Sequence, residues 1–177
     1  ENRGQELAGR LAADAYAPCP VHFIGHLQTN KVRQGVGRAA LIQSVDSLHL
    51  LEAIDREAGR QGVRQDILLE VNIGGEASKS GFAPEEIPPV LEKIPGFSGI
   101  TLRGLMCIPP ICEDPAELER YFEKMHRLCV DMKEKNIDNV NMDFLSMGMS
   151  GDYEAAIRQG ANIVRIGSAL FGKRIYK

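Results

Sequence analysis

The chain has 177 residues, 44% of them apolar, and a formal charge of −3. That is enough to bury the core of one domain, and too acidic for bulk binding to nucleic acid or an anionic membrane surface. No apolar run reaches the roughly 18 residues a membrane span needs, and Cys19, Cys107, Cys112 and Cys129 form neither a CxxC pair nor a metal-like cluster with the histidines. Scattered thiols of this kind suit a reducing cytoplasm, where the protein is expected to reside.

In chain order, the spacing of Leu7 and Leu11 predicts a helix almost from the first residue. Residues 21–25 are the first apolar run suited to a buried strand. They lead through His26, Leu27 and Gln28 into a helix expected over residues 29–39, with Lys31 in its first turn. His26 or Gln28 could touch a ligand at the end of that strand, although a lone histidine is more often a structural residue. Residues 41–45 read as a second strand. A helix over 47–61 follows, capped by Asp46 or Ser47, with Leu48, Leu51, Ile54 and Ala58 turned inward.

Residues 67–73 are the third strand. The loop after it, Asn72-Ile-Gly-Gly-Glu-Ala-Ser-Lys-Ser-Gly81, resembles a phosphate-binding P-loop but fails on spacing, because Lys79 stands where the motif needs glycine and then lysine. An ATPase is therefore excluded, and Lys79 is expected to hold the loop in place. A helix over 84–94, a strand over 99–108 stopped by Pro109 and Pro110, and a helix over 115–135 begun by Asp114-Pro115 come next. Met106 and Cys107 read as core, and no activating base accompanies the thiol. Strands over 140–146 and 162–166 flank a short helix over 152–159 that Gly160 closes.

Six apolar strands alternating with helices predict βα units in a parallel sheet, and residues 1–177 read as a single domain. No GxGxxG follows a strand, which argues against a dinucleotide-binding sheet. Six units with an orphan helix in front suit a (β/α)8 TIM-type barrel lacking its first strand and helix. In such barrels the loops after the last two strands commonly form a phosphate site. Two small-residue turns fall there. In Ser146-Met-Gly-Met-Ser150 the glycine permits close backbone approach and the serines add hydroxyls; a plain turn with a serine cap fits equally well. In Arg165-Ile-Gly-Ser168, the apolar Val164 and Ile166 place Arg165 on the opposite side of its strand, in either the barrel interior or the helix layer. An interior arginine there needs an anionic or hydrogen-bonding partner, a structural carboxylate being the plainer one. Gly167 and Ser168 then open a helix whose N–H groups could meet phosphate.

A string of motifs spans nearly the whole chain: Glu1-Asn2-Arg3-x-Gln5-Glu6, His22-Phe-Ile-Gly-His-Leu-Gln-x-Asn-Lys31, Ser44-Val-Asp-Ser47, Val71-Asn-Ile, Ser78-Lys-Ser-Gly81, Arg103-Gly-Leu-Met106, Leu145-Ser-Met-Gly-Met-Ser150 and Arg165-Ile-Gly-Ser-Ala-Leu-Phe-Gly172. Together they resemble the pyridoxal 5′-phosphate homeostasis protein family, also called YggS-like or proline synthase co-transcribed homologue. The resemblance implies a barrel like the N-terminal domain of alanine racemase, holding pyridoxal 5′-phosphate (PLP) as a Schiff base on a lysine. It implies phosphate contacts from Ser146, Met147, Gly148 and Ser150 on one loop and Gly167 and Ser168 on the other. Arg165 would lie near the ring and phosphate, and Asn2 on the same rim. The family usually has threonine where Ser168 stands.

The Schiff-base lysine is expected upstream of Glu1, since neither Lys31 nor Lys79 matches its position. A chain without the first strand is expected to expose two unpaired sheet edges. The implied function is buffering or delivery of PLP without strong turnover, with PLP-dependent apoenzymes as possible recipients and a monomeric full-length form. A barrel-type racemase would draw its second proton-transfer group from another domain across a dimer, and a chain ending at Lys177 is expected to lack that group. The alternatives are a weak PLP-dependent racemase or decarboxylase, for which His26 is the nameable base, and a barrel for another phosphorylated metabolite.

Overall fold

The computed structural model describes residues 1–2, 6–7, 9–10, 13, 15–16 and 19–172. Six parallel strands run side by side in chain order. They are β1 (His22–Phe23), β2 (Leu41–Val45), β3 (Gln65–Val71), β4 (Ile100–Cys107), β5 (Val140–Met149) and β6 (Ile163–Arg165). The helices are α1 (Leu48–Gln61), α2 (Ile87–Leu91), α3 (Pro115–Glu134), α4 (Tyr153–Arg158) and α5 (Ser168–Phe171). An unbroken sequential order with every neighbour parallel is the topology of a (β/α) barrel rather than of a doubly wound sheet, whose strand order reverses.

The strands form where the apolar runs predict them, and β2 begins and ends at the expected residues. Two expected helices shorten for local reasons. The segment after β1 is only a 3-10 turn, Thr29–Gln34, ended by the glycine-containing run 35–37. The segment over 84–94 breaks into a 3-10 turn (Pro84–Glu86), the five-residue α2 and another 3-10 turn (Ile94–Gly96), because Pro88, Pro89 and Pro95 each lack an N–H donor. Leu7 is buried as expected, whereas Leu11 lies outside the described residues.

Helix α1 shows how sequence sets the layer outside the sheet. Ser47 Oγ accepts from the Leu50 N–H at the first turn, and Leu51, Ile54 and Ala58 fall on one face and are fully buried. Each large aliphatic side chain buried this way contributes about 1.5–3 kcal/mol before entropy is charged. These residues join Ile42, Ile67, Leu69, Leu105 and Leu145 from the outward faces of the strands in one sheet–helix core.

The sheet is strongly curled. Strands β2 and β5 are separated by β3 and β4, which in a flat sheet would put them about 14 Å apart. Yet Ser146 Oγ on β5 reaches Gln43 Oε1 on β2 at 2.6 Å. Beyond β1, on the edge away from β2, Glu1 adds one more parallel rung: its backbone nitrogen donates to the His22 carbonyl at 2.7 Å and its carbonyl accepts from Ile24 N–H at 2.9 Å. Among the described residues no helix is long and apolar enough to cross a membrane.

Candidate functional site

The concave face of the sheet carries two layers. The deeper one is apolar: Leu41, Leu68 and Met106, with Phe144 and Ile163 packed against them. Side chains on a strand return to the same face every second residue. One step nearer the C-terminal ends of four of these strands, that rule brings up Gln43, Glu70, Ser146 and Arg165.

These polar groups are linked. Arg165 Nη1 donates to Ser146 Oγ at 2.7 Å, and Nη2 donates to the Cys107 carbonyl at 2.9 Å. Ser146, fully buried, passes its own proton to Gln43 Oε1, and Gln43 Nε2 lies 3.0 Å from His22 Nδ1. Arg165 therefore occupies the interior, one of the two sides its alternation allowed. No carboxylate among the described residues is within ion-pairing distance of it; Asp152 and Glu70 act on it only from farther away, and burial pulls its pKa down. A guanidinium is weakly hydrated but always charged, so this one is left facing the rim with unspent charge.

The two glycine turns adjoin Arg165. Gly148 has φ +91°, and a Cβ there would come within 2.6 Å of the Ala156 methyl on α4. Glycine is thus needed both for conformation and for packing the helix onto the strand. Ser150 Oγ accepts from the Gly167 N–H at 3.0 Å and the Ala169 N–H at 3.2 Å, which ties the loop after β5 to the loop after β6. Ser168 opens the single turn α5 and is exposed. The Met147 side chain is buried in the sheet–helix core, so only its backbone lies along the turn. Asn2 follows the Glu1 rung and sits against Gly25 at the end of β1.

Other side chains singled out in the sequence fall around this rim. His26 is well exposed, with Nδ1 3.2 Å from Asp46 Oδ2. Gln28 and Lys31 are exposed. Lys79 bonds the Pro109 carbonyl at 3.2 Å and pairs with Glu76 at 2.5 Å, so it fastens its loop to the end of β4. Burial pushes the Cys107 thiol up to about 12, which leaves it protonated and inert. The Glu70 carboxyl group has no hydrogen-bond or ion-pair partner among the described residues, and burial, then the Asp46 charge, raises its pKa. Among the described residues no group of three or more metal-ligating side chains could hold a cation.

Gln43 and Glu70 belong to none of the motifs that mark the site in the sequence. Their signal was present: each is a polar residue inside an apolar strand, in step with an inward-facing neighbour two residues away.

Known proteins share this architecture. The family described as alanine racemase, N-terminal domain, matches residues 7–175. The chain is 42% identical over 176 residues to a pyridoxal phosphate homeostasis protein of Aquifex aeolicus, covering 99% of this chain and 76% of the relative. It is 40% identical to the protein of that description in Pseudomonas aeruginosa, covering 99% and 74%. Among solved structures it resembles PipY of Synechococcus elongatus with PLP bound, at a TM-score of 0.86 and 32% identity, covering 97% of this chain and 80% of that one. The fold and the rim define a barrel of the alanine racemase N-terminal type. The chain belongs to the family of the pyridoxal phosphate homeostasis proteins.

Proposed function

We propose that this chain binds pyridoxal 5′-phosphate at the C-terminal rim of the sheet and takes part in intracellular homeostasis of that cofactor, storing or delivering it without strong turnover. The observation that carries this reading is Arg165: a partly buried cation with no carboxylate partner among the described residues, beside two loops that Ser150 ties together. The residues fit an anionic phosphate ester. Arg165 supplies charge and is held in place by Ser146, Ser150 supplies a hydroxyl, and Gly148, Gly167 and Ser168, with the Met147 backbone, present short-chain surface where phosphate can approach the main chain. Asn2 stands on the same rim at the far edge. The names of the two relatives and the PLP in the PipY structure support the choice of ligand.

When bound, the cofactor supplies an electrophilic aldehyde and a ring that stabilises negative charge on an attached carbon. The chain's own groups bind and orient rather than move protons. The Cys107 thiol is inert, and the His26 ring is held toward Asp46 on an exposed surface. Delivery to PLP-dependent apoenzymes, a monomeric state and a single-domain organisation belong to the same proposal.

Glu70 favours a second reading, weak racemisation or decarboxylation, because a carboxyl whose pKa is raised at the rim is suited to proton transfer. Loading the protein with PLP and incubating it with amino acids in deuterated water separates the two. The carrier reading expects Cα exchange at the rate of free PLP. Fast, stereospecific exchange that disappears in Glu70→Gln would establish the enzyme instead.

A further inference from the structure

We propose that Gln43 and His22 are positioning residues for the ligand-facing Arg165, and that they act through a one-directional hydrogen-bond chain requiring neutral His22 with its proton on Nε2. The part of this concerning the ligand rests on the PLP reading above. The direction of the chain follows from what each atom can donate. Arg165 has no acceptor, so Ser146 Oγ must accept from Nη1. The serine proton is then free to go to Gln43 Oε1, 2.6 Å away. With its oxygen committed to Ser146, the Gln43 amide presents its NH2 to His22 Nδ1 at 3.0 Å. Two donors cannot face each other there, so Nδ1 must offer a lone pair.

An imidazolium would break this order. Both of its nitrogens donate, and Gln43 would have to turn its oxygen toward His22 and its NH2 toward Ser146. The Ser146 oxygen would then face two donors, while its own proton, inside a fully buried residue, would lose its acceptor. Loss of a buried partner is the expensive direction of hydrogen-bond change. The His22 carbonyl accepts from the Glu1 backbone nitrogen on the neighbouring rung. Burial lowers the His22 pKa and so acts in the same sense as the relay. The result is that a residue on β1 sets the donor arrangement of one on β6, across the whole width of the sheet.

The relay is tested on the cofactor-free protein by nitrogen-15 NMR of the histidine rings. Neutral His22 is expected to carry its proton on Nε2 alone, and Gln43→Glu, which still accepts from Ser146 but stabilises an imidazolium, is expected to raise its titration midpoint by more than about one unit. A second arm measures PLP retention by equilibrium dialysis. Gln43→Leu should weaken it about tenfold, a factor worth about 1.4 kcal/mol. Retention in wild type should fall as pH drops through the His22 midpoint, and in Gln43→Glu that fall should begin at higher pH. A proton on Nδ1 of neutral His22 overturns the relay, as does unchanged retention in Gln43→Leu. If wild type retains no PLP at all, the proposed function fails, while the ring nitrogens still decide whether the relay exists.

Discussion

Replacing Arg165 with alanine is expected to weaken PLP retention by more than tenfold, or at least about 1.4 kcal/mol. The substitution removes an inward-facing cation of the rim that lacks a carboxylate partner among the described residues, and it strips a donor from both Ser146 Oγ and the Cys107 carbonyl. Arg165→Lys should recover only part of the loss. An ammonium keeps the charge, but it is a compact group without the planar fork that here serves a hydroxyl on β5 and a carbonyl on β4 together. Equilibrium dialysis reads both variants, with circular dichroism confirming that the sheet persists. Equal retention in wild type and Arg165→Ala would mean that the anion is held elsewhere.

The largest effect on stability is expected from Gly104→Ala. Gly104 has φ +147°, and a Cβ there would sit 1.9 Å from the Phe144 carbonyl oxygen on β5. Nothing flexible can yield, because the atom struck is backbone. The β4–β5 register already shifts between Leu102 and Gly104, so this glycine lies where the two strands pinch. Prying them apart is expected to cost about 3 kcal/mol or more, in the range of severe core lesions. Gly59→Ala is the contrasting control. Gly59 lies inside α1 with nothing within 4 Å of its added methyl, so helix propensity alone should stabilise the protein by up to about 1 kcal/mol. Urea midpoints read both. A Gly104→Ala midpoint equal to wild type would contradict the pinch.

The two effects show why fold and site were unequally legible in the sequence. The strands announced themselves because each is an apolar run bounded by turn residues, and residues 41–45 could be read to the residue. The 29–39 and 84–94 segments misled because their helical spacing is real but glycines and prolines cut the helices short. The strand ending at Ser146 in the sequence reading runs on to Met149, so the first glycine turn begins inside the last rungs of β5. Arg165 was narrowed to two sides by its apolar neighbours. Choosing the interior needed the curl of the sheet, which joins Gln43 to Ser146 across 103 residues of chain. No local pattern encodes that contact. The curl also decides what Arg165 lacks: absence of a carboxylate partner is a property of the assembled face.

In the proposed function the loops after β5 and β6, with Arg165, hold the phosphate-bearing ligand. A crystal structure of the protein grown with PLP tests it most directly. The phosphate group is expected within hydrogen-bonding distance of the segment from Ser146 to Ser150 and of Gly167 or Ser168, with Arg165 turned to the same ligand. PLP seated away from both turns, or a rim that stays empty at saturating cofactor, would contradict it.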